Sequence, residues 1–209
     1  SGIGEATALA FVEAGAKVVI TGRDQARAQQ IRKSLPQDAQ ARLTFMAADI
    51  SNSAQCAAMV TQATEQLGGL DIVVNSAGIL YHATVEETTD AQWLQTINVN
   101  VSGVFYVCRA ALPQLKKSGG GCIVNIASDA ALTGSEHLAA YCASKGAVLQ
   151  LSRAMARDHA ADNIRVIPLC PGDVDTPMLR QEYASRGLSA ADGLQQSASA
   201  VPLNRVCSA

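Results

Sequence analysis

Short β-branched apolar runs alternate along this chain with longer stretches of helical spacing, and that alternation restricts the fold more than any other feature. The runs are Lys17–Ile20, Leu43–Ala47, Asp71–Val74, Cys122–Ile126 and Ile164–Leu169. Between them lie Gly4–Ala14, Gln25–Leu35, Ser53–Leu67, Asp90–Leu115 and Leu138–Ala160. Strand and helix in alternation make a parallel sheet with helices on both faces. Parallel strands buried on both sides read as unbroken apolar runs, as Ile72-Val73-Val74 and Ile123-Val124 do. Gly15, Gly68-Gly69 and Ser118–Gly121 supply the turns. Without a repeat or a linker, residues 1–209 read as a single α/β domain with a doubly wound parallel sheet. The Ala-, Ser- and Gln-rich stretch 179–200, broken by Gly187 and Gly193, fits two short helices beside a substrate site or an ordinary surface excursion.

Composition supports this reading and excludes several others. At 48% hydrophobic, 16% charged and only 4% aromatic, 209 residues suit helices packed closely on a sheet. A net charge of -2 gives no reason to expect nucleic acid or an anionic membrane as partner. No apolar run approaches the roughly 18 residues that span a bilayer. The six cysteines form no CxxC pair and mostly sit in apolar runs, so reduced core thiols and a cytoplasmic setting are expected. His82, His137 and His159 are isolated, and no metal site is expected.

In doubly wound sheets ligands bind beyond the carboxyl ends of the strands, so chemistry belongs there. Ser1-Gly2-Ile3-Gly4 leads straight into a helix, and glycines at a helix N-terminus let backbone N–H groups approach a pyrophosphate. A plain glycine turn has the same spelling. The first strand ends at Gly22-Arg23-Asp24. In dinucleotide folds an acid at this point holds the ribose hydroxyls, whereas an Arg accommodates a 2′-phosphate. With Gly22 at that point and Arg23 beside it, NADP is expected over NAD. The bland alternative makes Arg23 a solvated charge and Asp24 a helix cap.

Tyr141 and Lys145 lie four residues apart at the start of a helical run, on one face and one turn apart. A phenol ionises near pH 10, about 10 being its ordinary pKa, and a cation beside it is expected to lower that by roughly 1–3 units. Tyr141 could then give a proton to a carbonyl oxygen or take one from an alcohol. Ser128 follows the run Cys122–Ile126, which sets its hydroxyl at a strand tip. A Tyr-x-x-x-Lys pair alone is usually an ordinary helix face; a strand-tip Ser and a glycine-led helix reverse those odds.

These residues together resemble the short-chain dehydrogenase/reductase family, a Rossmann-like group of NAD(P)-dependent oxidoreductases, from Ser1 to Ala209. Gly2-Ile3-Gly4 matches the end of the family's Thr-Gly-x-x-x-Gly-x-Gly loop, and Asn75-Ser76-Ala77-Gly78 matches its Asn-Asn-Ala-Gly. Asp49-Ile50 falls at the adenine contact, Asn100 at the helix Asn, and Ser128, Tyr141 and Lys145 at the other catalytic positions. Pro171-Gly172, Val174 and Thr176 fall in the segment that contacts the nicotinamide end. The resemblance implies hydride transfer between NADP(H) or NAD(H) and a ketone or secondary alcohol, with Tyr141 as proton donor and acceptor. Ser128 would polarise the substrate oxygen. Lys145 would bind the nicotinamide ribose and depress the Tyr141 pKa, and Asn100 would hold a water that relays protons from Lys145. Ser1, Gly2, Ile3, Gly4, Arg23, Asp49, Ile50, Asn75, Ala77, Gly78, Pro171, Gly172, Val174 and Thr176 would join Tyr141 and Lys145 in binding the cofactor.

The chain departs from the family in three places. Ser76 replaces the second Asn, a mild change. Pro168 interrupts a strand, which demands either a bulge or a position where its nitrogen needs no partner. Family members also carry a central strand and Thr-Gly ahead of the position of Ser1, and a helix and strand after Arg205, so the 209 residues are expected to be a piece of a longer chain. Leu80, Tyr81, Asp129, Leu132, Gly134, His137, Asp173 and Met178 are expected to line the substrate pocket. Two other functions stay open: a 3-oxoacyl-(carrier protein) reductase, for which Lys116-Lys117 is a small basic cluster, and a non-catalytic cofactor-binding module. A homo-oligomer, dimer or tetramer, through 90–115 and 138–160 is the family habit.

Overall fold

The computed structural model describes residues 1–209. The first half runs α1 (Gly2–Glu13), β1 (Val18–Gly22), α2 (Gln25–Ser34), β2 (Leu43–Ala47), α3 (Ser53–Leu67) and β3 (Ile72–Asn75). Then come α4 (Asp90–Ile97), α5 (Gly103–Lys117), β4 (Gly121–Ile126), α6 (Ala139–Asp158) and β5 (Ile164–Leu169). Last are β6 (Val174–Asp175), α7 (Pro177–Ser185), α8 (Ala190–Ser199) and β7 (Cys207–Ser208). All five expected strands form, and four of the five expected helical stretches form as single helices. The 179–200 stretch also becomes two short helices, as its composition suggested.

Local chemistry sets most boundaries. Asp24 accepts from the Arg27 N–H at 2.9 Å and Asn52 from the Gln55 N–H at 3.0 Å, capping α2 and α3. Thr89 and Gln92 make a reciprocal capping box on α4. Thr176 caps α7, with Pro177 in its first turn. α1 differs: Ser1 makes no side-chain cap, so the first N–H groups of this helix have no side-chain acceptor.

Every strand pair is parallel, as expected, but the sheet is divided. β1 pairs with β2, and β3, β4 and β5 form a second sheet in that order. Each has its own core. Val12, Ile31, Leu35, Ala39 and Leu43 pack beside the first. Val104, Val107, Leu115, Ile123, Val148, Ile164 and Val166 belong to the larger cluster around the second. β1 and β3 face each other across a cleft of about 1990 Å³ without pairing. A third pair, β6 with β7, is two residues long on each side.

Two local outcomes differ from expectation. The stretch 90–115 is not one helix, because a π-helical turn at Asn98–Ser102 separates α4 from α5. Pro168 produces no bulge: β5 stays in register with β4 from Ile164 to Leu169, with Pro168 opposite Asn125. β5 is the outer strand of its sheet, where one side of the backbone has no ladder to feed.

Candidate active site

α6 carries Tyr141 and Lys145 on one face, and β4 delivers Ser128 two residues beyond its end. All three line the same cleft as Gly2, Gly4 and Arg23. Lys145 is 4% exposed and its Nζ donates to the Ile126 carbonyl at 2.8 Å. That bond ties α6 to the tip of β4 and holds the ammonium 5.6 Å from the centre of the Tyr141 ring. Burial pushes the Lys145 pKa down to about 8.

The phenol goes the other way from expectation. Burial pushes the Tyr141 pKa up to about 12, aided by the nearby Asp129 and Glu182 carboxylates, while the Ser128 hydroxyl pulls it down. Lys145 contributes nothing comparable, since its ammonium lies against the ring and points at a backbone carbonyl. Tyr141 is therefore protonated at neutral pH.

Asn100 sits in the π turn and is fully buried. Its Nδ2 donates to the Ile79 carbonyl at 2.9 Å and to Ser144 Oγ at 3.0 Å, and its Oδ1 accepts from the Ile79 N–H at 2.8 Å. The side chain thus locks the loop after β3 onto α6. Gly78 lies between: a Cβ there would come within 3.4 Å of Asn100 Oδ1 and 3.6 Å of Lys145 Nζ.

The residues present fit a dinucleotide. Gly2 has φ 55°, a conformation that favours glycine, and a Cβ there would meet Thr176 Cγ2 at 3.0 Å. The glycine-led turn, the side-chain-free α1 N-terminus, and Pro171, Gly172, Val174 and Thr176 all border the cleft. Arg23 is exposed to it from the end of β1, while Asp24 serves as the α2 cap. Asp49 is turned elsewhere: its carboxylate takes the Ser51 N–H at 2.9 Å and the Ser51 hydroxyl at 2.7 Å, and only its neighbour Ile50 borders the cleft. The Asn75 side chain also turns inward, donating to Asn125 Oδ1 at 2.8 Å. Asn125 in turn donates to Ser152 Oγ at 2.9 Å, so a buried polar chain links β3, β4 and α6 behind the site.

Of the expected pocket residues, Leu80, Asp129, His137, Asp173 and Met178 line the cleft, and Tyr81, Leu132 and Gly134 do not. The Tyr81 hydroxyl is engaged by Gln95 at 2.7 Å. Sequence reasoning missed His82, which stacks on His137 with ring centres 4.9 Å apart, and Glu182, which α7 points into the cleft. Burial and the neighbouring Asp173 raise the Glu182 pKa. No spacing signal marks either residue, because their elements meet only in three dimensions.

Relatives share this arrangement of elements. A 3beta-hydroxysteroid dehydrogenase of Mediterraneibacter gnavus is 38% identical over 185 residues, 88% of this chain and 66% of that protein. A meso-2,3-butanediol dehydrogenase of Serratia marcescens is 38% identical over 178 residues, 85% of this chain and 69% of that protein. This chain therefore spans about two thirds of the length of these two relatives. The solved structure of ElxO with NADP bound superposes with TM-score 0.89 at 27% identity, over 99% of this chain and 82% of that one. A 3-ketoacyl-(acyl-carrier-protein) reductase from Brucella melitensis, complexed with NADH, gives 0.88 at 32% identity, over 100% and 82%. The sequence model of the short chain dehydrogenase family matches residues 1–187. By that match, and by the two relatives at 38% identity, the chain belongs to the short-chain dehydrogenase family.

Proposed function

We propose that this protein is an NAD(P)-dependent oxidoreductase that interconverts a ketone and a secondary alcohol, with Tyr141 as the proton donor and acceptor. The observation that carries the reading is the meeting, in one cleft, of a phenol and an ammonium one turn apart on α6 with a strand-tip hydroxyl and a glycine-led helix N-terminus. When bound, the nicotinamide supplies or accepts the hydride. Tyr141 donates its proton to the carbonyl oxygen in reduction and takes it back in oxidation. Ser128 orients that oxygen. Lys145 holds the cofactor ribose from its place beneath Gly78. Asn100 fixes the loop after β3 and, through a water, passes protons on from Lys145. Gly2, Ile3 and Gly4 with the α1 N-terminus cradle the pyrophosphate, and Ile50 packs at the adenine end.

NADP is preferred in this reading because Arg23 is exposed at the end of β1 and the carboxylate beside it, Asp24, serves as the α2 cap. In the test, kcat/KM is measured with both cofactors for the wild type and Arg23→Ala. The wild type should favour NADPH, and the variant should lose about tenfold or more of that preference. A wild-type preference for NADH would refute the assignment. A carrier-bound substrate finds no support at Lys116, whose ammonium pairs with Asp162 at 2.7 Å. A reducing compartment such as the cytoplasm fits the unpaired buried thiols Cys56, Cys108 and Cys122, and no helix is long and apolar enough to cross a membrane. Association of identical chains through α4, α5 and α6 is supported by the exposed Trp93, Leu94 and Phe105.

A further inference from the structure

The hydroxyl that should polarise the substrate already has a partner. Ser128 has one hydrogen to give, and it donates that hydrogen to Asp129 Oδ1 at 2.9 Å. Its oxygen meanwhile accepts from the Ala130 N–H at 3.2 Å. A ketone oxygen entering beside Tyr141 thus meets the phenol and a serine whose hydrogen must leave Asp129 before it can reach the substrate. Asp129 is itself held in place, since Oδ1 also accepts from the Ala130 N–H at 2.7 Å. It borders the cleft together with Asp173 and Glu182. Glu182 pairs with Arg186 at 3.5 Å, and Arg186 also donates to Gln196 at 3.0 Å. The cleft thus carries the acceptors Asp129, Asp173 and Glu182, with the His82–His137 stack also on its wall.

A ligand fits such a pocket when it brings its own donor. The reacting oxygen needs the Ser128 hydrogen, and Asp129 needs a replacement for it. A second hydroxyl on the carbon next to the reacting one meets both needs. It donates to Asp129, and Ser128 turns its hydrogen to the carbonyl or carbinol oxygen. The spacing agrees, because Ser128 Oγ and Asp129 Oδ1 are about as far apart as the two oxygens of a vicinal diol in its gauche form. From this pairing we propose that the substrate is a vicinal diol, or the α-hydroxy ketone made from it, and that Asp129 is the residue that selects it. The inference rests on the oxidoreductase reading above. In reduction the ketone carbon takes a hydride from reduced nicotinamide and its oxygen takes the Tyr141 proton. The adjacent hydroxyl is unchanged throughout. A carboxylate in place of that hydroxyl would face Asp129 with like charge and no donor.

Three small ketones test this with the purified protein and NADPH or NADH: 1-hydroxypropan-2-one, butan-2-one, in which a methyl replaces the hydroxyl, and 3-oxobutanoate. For the wild type, kcat/KM should be about tenfold or more higher for the hydroxy ketone than for butan-2-one, and lowest for the carboxylate. Asp129→Ala should bring the first ratio to within about threefold of unity. Because Asp129 also braces the turn at Ala130, Asp129→Asn provides a variant of the same shape whose ratio should fall to an intermediate value. An unchanged ratio in either folded variant, or a wild type that prefers butan-2-one, overturns the assignment of Asp129. Turnover of butan-2-one without a hydroxy-ketone preference refutes this inference alone. No reduction of any of the three, together with no difference between wild type and Tyr141→Phe, brings down the oxidoreductase reading and this inference with it.

Discussion

Lys145 shows how one residue can be costly to the fold and necessary to the site. Its ammonium is disfavoured by burial, so the folded chain releases this proton more readily than the unfolded chain does. Between about pH 8 and the ordinary lysine range the unfolded state binds more protons, and stability rises with pH across that window. Below it the penalty is fully present. Lys145→Met should therefore abolish turnover yet raise stability at neutral pH by about 1–2 kcal/mol, the loss of the Ile126 hydrogen bond offsetting part of the gain. The gain should shrink at pH 10. Scanning calorimetry at both pH values checks it, and a lower Tm for the variant at pH 7 would contradict the account. Tyr141→Phe removes the hydroxyl and keeps the ring, so it should retain cofactor affinity in a fluorescence titration and lose about 10²–10⁴-fold in kcat. That Tyr141, Lys145 and Ser128 share one cleft follows from a helical turn and a strand tip, which are short-range facts. The direction of the Tyr141 pKa was not legible in the sequence. It depends on burial and on Asp129 and Glu182, which only the folded chain places around the phenol.

At the scale of elements, the buried chain through Asn75, Asn125 and Ser152 fixes how β3, β4 and α6 sit behind the site. Cys108 on α5 joins it, receiving the Asn75 Nδ2 at 3.3 Å, and burial pushes that thiol up to about 12, so it stays protonated. Asn125→Ala would leave the Asn75 and Ser152 groups without this partner behind the site. The expected cost is about 2–4 kcal/mol in a urea titration, against a few tenths for an exposed asparagine. Sequence reasoning took Asn75 as a cofactor contact and passed over Asn125, because a single polar residue inside an apolar run carries no mark of what it faces. The π turn at Asn98–Ser102 escaped for a related reason: one extra residue in a helix barely disturbs apolar periodicity over so short a stretch. Strands β1 to β5 were readable because buried parallel strands are spelled as apolar runs. β6 and β7 were not, being two residues each.

On the scale of the whole molecule, the site lies between the β1–β2 and β3–β4–β5 sheets. Alternation in the sequence gives the order of strands but not which neighbours join hands. Arg23 belongs to one sheet, and Ser128, Tyr141 and Lys145 stand on or beside the other, with the α1 N-terminus between them. A dinucleotide reaching from Arg23 to Tyr141 would touch residues far apart in the chain. NADP at a hundred times its dissociation constant should then raise Tm by the equivalent of about 2.7 kcal/mol in scanning calorimetry. Affinity for the reagent and resistance to heat would be two readings of the same contacts.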